Sequence, residues 1–356
     1  MDIAFLAIAE AQQLYHWLPA ALELARRPDL RVSVLSPSDA ILDLVAGYDP
    51  DGLLLRKRLK RPPFSPPDSL FRQPSRLATL LLNYRAIARF PAIVTTEIST
   101  AWLRRVPGFA SRLILIKHGA GDREGGYKSR HADFDLTLVA GKKDRRRMIE
   151  RGLCAPDSVA VGGYAKFELM AQRQRFFPDD APVLLYNPHF DAELSSWVRH
   201  GPEVLAALES LEGWNVIVAP HTKLAARVPP IATAAPHIRV DMGSRHSIDM
   251  SYTVSADAYL GDVSSQVYEF LLRPRPCIFL NLDRRDAGGE AFAHWRLGQV
   301  IEDMSDLPAA LARASDVQPA YEAAQLAAMR DSIDQSPIPA SRRQADIIET
   351  FAKARS

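Results

Sequence analysis

From one end of the chain to the other, short and nearly continuous apolar runs alternate with longer segments of helical period. A first series of runs covers residues 3–9, 31–36, 92–96, 113–117, 136–140 and 159–162. A second covers 183–187, 215–219, 238–240, 258–261, 277–281 and 299–301. Strands without polar alternation must be covered on both faces, and intervening helices supply that cover. The pattern therefore predicts α/β architecture with parallel sheets and excludes all-α and all-β folds.

A chain of 356 residues has room for two such sheets at about 150 residues per domain. The polar stretch QRQRFFPDDAP (172–182), with two prolines, separates the two series and suits a linker. The expected organisation is a first Rossmann-like domain over 1–175, a second over 176–317, and a helical segment over 318–356 that could cross back over the first. Residues 1–175 hold 28 Lys and Arg against 18 Asp and Glu, whereas residues 176–356 hold 16 against 24, so the net charge of +2 hides two chemically different halves. The basic half suits an acidic partner. Its stretch LRKRLKRPPFSPP (55–67) reads as an exposed excursion, either a solvated loop or an electrostatic foot on anionic membrane lipid. A second basic run, Lys142, Lys143 and Arg145 to Arg147, falls on the first turns of a helix.

Nothing in the sequence approaches the ~18 uncharged apolar residues of a membrane span. The opening MDIAFLAIAEAQQ has neither a basic leader nor a cleavage pattern. Cys154 and Cys277 are too few and too far apart for a disulfide framework or a zinc ligand set. A cytoplasmic protein, with room for peripheral contact at the inner face of the membrane, is the expectation, and nucleic acid is not an expected partner.

Ligands of open parallel sheets bind beyond the carboxyl ends of strands, and histidines fall at several such ends. LILIKHGAG (113–121) ends in His118 with Gly119 and Gly121, glycines that permit close backbone approach to a ligand. NVIVAPHTKL (215–224) ends in His221 and Lys223, and VLLYNPHF (183–190) ends in Asn187 and His189. Imidazole suits proton transfer near neutral pH. The segment YLGDVSSQVYEF (259–270) runs from a strand into a helix, placing Ser264 and Ser265 at a helix N-terminus suited to phosphate. Asp262 and Glu269 stand beside it for ribose or nucleotide contacts. Near the start, Gln12, Gln13, His16 and Trp17 follow the first strand, where His16 is placed on an acceptor side. DFD (133–135) has the spacing of a metal-binding acidic pair, but its neighbours support no metal, and none is expected. There is no P-loop, no GxGxxG after the first strand and no GxSxG elbow, which weakens ATPase, dehydrogenase and serine-hydrolase readings.

Together, the two sheet domains, His118-Gly119, Pro220-His221, and Asp262, Ser264, Ser265, Glu269 and Phe270 followed by Arg275, Pro276, Ile278 and Phe279, resemble the CDP-glycerol glycerophosphotransferase family of teichoic-acid primases and polymerases. The resemblance covers roughly residues 110–285. It departs at Lys117, where the family usually has an aromatic, at Ala120 to Arg123, and at Glu269, where Asp is frequent. It implies a GT-B fold, two Rossmann-like parallel-sheet domains facing a cleft, and transfer of glycerol phosphate from CDP-glycerol to a hydroxyl of a glycan or lipid-linked acceptor. In that scheme His118 takes the acceptor proton. His221 with Ser264, Ser265, Gly119 and Lys223 holds donor phosphates; Asp262, Glu269, Asn187 and His189 serve the nucleotide, and His16 and Arg123 the acceptor. No cofactor is needed beyond the nucleotide-activated donor. A nucleotide-sugar glycosyltransferase and a UDP-sugar 2-epimerase share the architecture, and a non-catalytic scaffold binding glycan or membrane is the reading from another class.

Overall fold

A computed structural model describes residues 1–122, 126–286 and 288–354 and divides the chain into two compact units, each built on one parallel sheet. Unit 1 comprises residues 1–118, 127–169 and 331–356; unit 2 comprises 119–126 and 170–330.

The strands of unit 1 are β1 (Asp2–Leu6), β2 (Arg31–Ser36), β3 (Leu55–Arg58), β4 (Ala92–Thr95), β5 (Arg112–Ile116), β6 (Leu136–Val139) and β7 (Val159–Val161), in the order β3-β2-β1-β4-β5-β6-β7. All pairs are parallel, with Ile3 of β1 opposite Val32 of β2 and Ala92 of β4. Ala4, Leu6, Ile93, Leu113 and Leu115 pack with Leu80 and Ile87 from helices to form a core on one face. Covering both faces is what makes these strands read as unbroken apolar runs.

β3 was not expected as a strand. Its sequence LRKR is exposed at every position, so it carries no apolar signal. Charged side chains on an edge strand deter pairing with another chain. The basic excursion is also largely satisfied within the unit. Arg56 meets Asp49 at 3.3 Å, Arg58 pairs with Asp39, Arg61 meets Asp68 at 3.0 Å, and the Lys57 ammonium sits 5.0 Å from the centre of the Phe90 ring.

Unit 2 carries β8 (Val183–Asn187), β9 (Asn215–Val218), β10 (Ile238–Val240), β11 (Ala258–Gly261), β12 (Cys277–Leu280) and β13 (Gln299–Ile301), in the order β10-β9-β8-β11-β12-β13 and again all parallel. Leu184, Tyr186, Val216, Val218, Leu260 and Ile278 pack with Val204, Leu208, Leu307 and Leu311 of its helices.

The units divide the chain differently from the expected organisation. The stretch 172–182 is bound into unit 2, with Arg173 on Asp257 at 2.7 Å, Gln174 N donating to Ser255 Oγ at 2.9 Å, and Phe176 against Tyr252. The C-terminal segment is shared. Helix Ala314–Ser332 belongs to unit 2 up to Arg330, and helix Ala340–Lys353 packs in unit 1 on helix Leu18–Ala25. Arg27 fastens that return by pairing with Glu349 and with Asp346 at 2.6 Å, so the terminal helix does cross back. Its entry is close-packed: a Cβ on Gly141 would lie 2.5 Å from the Ser332 carbonyl carbon, and Asp334 N donates to Ala140 O at 2.9 Å.

Candidate functional site

In each sheet the strand order reverses once, between β1 and β4 in unit 1 and between β8 and β11 in unit 2. Loops leaving neighbouring strands diverge at such a point and leave a crevice at the carboxyl ends.

Unit 2 builds its crevice from three interlocked loops. Asn187, at the end of β8, donates through Nδ2 to Ala219 O at 2.6 Å beyond β9 and accepts through Oδ1 from Ser264 Oγ at 3.0 Å beyond β11. Asp262 is 2% exposed, and its carboxylate accepts from His189 N (2.9 Å), Ser196 N (2.8 Å), Ser196 Oγ (2.9 Å) and Val263 N (2.7 Å). Burial pushes the Asp262 carboxyl up to about 6 against the opposing pull of these donors. Asn187 and Asp262, expected to face the nucleotide, thus have their polar atoms engaged in holding the loops together. Glu269 is buried in the helix that follows.

On this frame stand two histidines in matching settings. His189 and His221 each follow a proline one or two residues past a strand. Each accepts at Nδ1 from the backbone N–H two residues on, Asp191 N and Lys223 N, both at 3.1 Å. A ring nitrogen that accepts carries no proton, so in the neutral rings the proton is on Nε2, and both imidazoles are Nε2–H donors. The rings lie 6.1 Å apart, Phe190 lies 4.7 Å from His221, and the Lys223 ammonium is 5.2 Å from the Phe190 ring. Two imidazole donors and an ammonium make a set suited to phosphate oxygens.

The expected helix N-terminus is weaker than the sequence suggested. Helix Gln266–Phe270 has five residues, so little dipole accumulates. Ser264 is buried and committed to Asn187, accepting also from Gln266 N at 3.3 Å, whereas Ser265 is exposed. The glycines after His118 also serve a different neighbour. Gly119 takes φ +76°, and a Cβ on Gly121 would lie 2.6 Å from the Ser265 Cβ, so these residues allow the segment to pack on Ser265.

In unit 1, His118 follows β5 and is exposed. Its Nδ1 lies 3.2 Å from Thr96 O at the end of β4. A carbonyl oxygen only accepts, so Nδ1 carries the proton and the basic lone pair is on Nε2, the opposite tautomer to His189 and His221. His16 is buried 6.2 Å from His118, ring centre to ring centre, and against Tyr164 at 5.0 Å. Burial, with Lys166, His118 and Lys117 adding to it, pushes the His16 pKa well below the ordinary imidazole value, so its ring is neutral. Trp17 is core, stacked on Phe5 at 5.2 Å. Sequence reasoning missed the ion cluster at the reversal. Arg76 holds Glu10 at 2.7 Å and Glu97 at 3.1 Å, and Gln13 Nε2 donates to Glu97 at 2.6 Å. Asp135 of the DFD motif pairs with Arg104 and accepts from Leu113 N at 2.7 Å. Arg123 lies outside the described residues.

No protein-family model matches the chain, and no curated protein matches it in sequence. Solved structures do. The wall teichoic acid polymerase TagF is similar over 99% of this chain and 89% of its own, with a TM-score of 0.67 at 13% identity. The UDP-GlcNAc 2-epimerase from Neisseria meningitidis bound to UDP-GlcNAc is similar over 99% and 100%, with a TM-score of 0.64 at 12% identity. The calicheamicin glycosyltransferase CalG4 is similar over 98% of each chain, with a TM-score of 0.55 at 18% identity. What these likenesses and the two parallel sheets establish together is the fold: this chain is a GT-B protein.

Proposed function

We propose that the protein transfers glycerol phosphate from CDP-glycerol to a hydroxyl of a glycan or lipid-linked acceptor. The observation that carries this reading is the division of tautomers. His189 and His221 offer N–H donors beside Lys223, whereas His118 offers a basic nitrogen. Phosphoryl transfer asks for these two things, donors that neutralise phosphate oxygens and a base for the incoming hydroxyl. The acceptor oxygen attacks the phosphorus that bears glycerol and its proton passes to His118 Nε2. The bond to the bridging oxygen breaks, and CMP leaves with the electron pair. The resemblance across residues 110–285 supports CDP-glycerol as donor, as does the soaking of the similar TagF with CDPG. The UDP-GlcNAc carried by the similar epimerase supports a nucleotide-linked donor more generally.

A thermal-shift panel tests the donor. CDP and CMP are expected to raise the melting temperature by several degrees, as a ligand at about 100 times its Kd adds roughly 2.7 kcal/mol. A rise with UDP alone would move the donor to a nucleotide sugar. No rise with any nucleotide would remove the proposal.

A lipid-linked acceptor would be met at a membrane, and one surface of unit 1 suits that contact. Helices Arg76–Leu82 and Tyr84–Ile87 leave Leu77, Leu81 and Leu82 exposed, and Phe64 is exposed on the loop whose Lys60 backbone is clipped to Asn83. Lys60, on the same loop, and Arg85 and Arg89, on and just after the second helix, make no ion pair among the described residues, and no acid lies between Asp68 and Glu97. Exposed apolar side chains on a segment whose cations lack ion pairs suit an anionic bilayer, and we assign peripheral contact here rather than to the paired arginines of 55–61. No helix among the described residues is long and apolar enough to cross a membrane. The protein should sediment with phosphatidylglycerol vesicles and not with neutral ones. Leu81→Ser with Leu82→Ser should reduce the bound fraction at least about fivefold; equal sedimentation would remove the assignment.

A further inference from the structure

The segment that follows His118 belongs to unit 2 and is fastened within it in a way that nucleotide binding does not require. Asp122 is 5% exposed, and its carboxylate accepts from the Tyr268 hydroxyl and lies 3.8 Å from His294 Nδ1. His294 Nε2 lies 2.9 Å from Asp262 O, which also accepts from Trp295 Nε1 at 2.9 Å. Since a carbonyl only accepts, His294 presents Nε2–H to it and turns its Nδ1 side toward Asp122. One carboxylate is thus set against a tyrosine and a histidine whose own orientation is fixed by the turn after β11. Between Asp122 and His118 stand only Gly119, Ala120 and Gly121, and both glycines pack on Ser265 of the same turn.

We infer that Asp122 is a positioning residue: through the Tyr268 hydroxyl it holds the four-residue lead that carries His118. This rests on the reading of His118 as the base. A base must reach its proton at hydrogen-bond distance, and a displacement of about 1 Å costs on the order of 10²-fold in rate. Gly119, Ala120 and Gly121 bring no polar side chain, and Asp122 is the first residue of the lead that does.

The test uses the full-length protein and Asp122→Ala, Tyr268→Phe, both together, and Asp122→Asn, whose amide oxygen still accepts from Tyr268. Hydrogen–deuterium exchange is followed over peptide 117–122, with CDP-glycerol turnover and CDP affinity beside it. Expected are exchange at least about tenfold faster in Asp122→Ala and Tyr268→Phe, and kcat lowered about tenfold with CDP affinity unchanged. The double variant should be no worse than either single one, because both act through one contact, and Asp122→Asn should stay near wild type. Unchanged exchange overturns the inference, as does faster exchange with unchanged kcat, or an equal loss of CDP affinity. Should the wild type not turn over CDP-glycerol, the donor assignment fails, and the exchange of the same four variants still decides whether Asp122 holds the segment.

Discussion

His118→Asn is expected to lower CDP-glycerol turnover by about 10²- to 10⁴-fold while CDP affinity stays within about threefold of wild type. The substitution is chosen from the geometry. Nδ1–H of His118 points to Thr96 O at 3.2 Å, and an asparagine amide can donate to the same carbonyl, so the end of β5 keeps its tether to β4. What asparagine lacks is a basic lone pair. The loss therefore falls on the step in which the acceptor hydroxyl gives up its proton and not on the donor. His221→Ala is the contrast. It removes an Nε2–H donor beside Lys223, and it should appear first in donor KM and in the nucleotide-induced melting shift. Steady-state kinetics with both variants checks the division of labour. If His118→Asn raised donor KM and left kcat intact, the tautomer assignment would have misled and the base would have to be sought elsewhere.

The architecture was legible because buried parallel strands announce themselves. Runs such as 183–187 and 258–261 have no exposed face and so no polar alternation to obscure them. β3 escaped for the converse reason: an edge strand of Leu-Arg-Lys-Arg gains its place from backbone pairing with β2, and nothing apolar marks it. The histidines at strand ends were visible as Pro-His after β8 and β9 and His-Gly after β5. Their tautomers were not, since these depend on Thr96 O, Asp191 N and Lys223 N as placed by the fold. Asp122 gave no signal, because its tyrosine partner lies 146 positions away. Arg76 with Glu10 and Glu97 was hidden likewise, by separations that only the order β1-β4 closes. Asp262 was noticed for its neighbourhood of serines and given a ligand. Four donors from its own chain already occupy it, and a motif does not reveal which way a carboxylate turns.

Asp262 carries the largest expected effect on stability. Asp262→Ala would take the shared acceptor from His189 N, Ser196 N and Val263 N in a buried place, leaving Ser196 Oγ its bond to the Tyr186 hydroxyl, and at about 1–3 kcal/mol for each lost backbone partner the loss should reach several kcal/mol. Since Asn187, His189 and Ser264 hang on the same turn, the variant should lose nucleotide binding along with stability. The wild-type carboxyl adds a pH dependence whose sign can be worked out. Its folded pKa is raised to about 6 by burial, above the ordinary value of 3.8, so between those pH values the folded chain binds more protons than the unfolded one. The stability this group confers is greatest below pH ~4 and declines by roughly 3 kcal/mol as pH rises through 6, at about 1.4 kcal/mol per unit. Asp262→Asn cannot titrate. Urea unfolding of wild type and Asp262→Asn at pH 4, 5, 6 and 7 should therefore show the wild type gaining on the variant as pH falls from 6 to 4, with other carboxylates cancelling in the difference. The opposite slope would mean that the four donors outweigh burial and that the turn after β11 is held by a carboxylate ionised throughout that range.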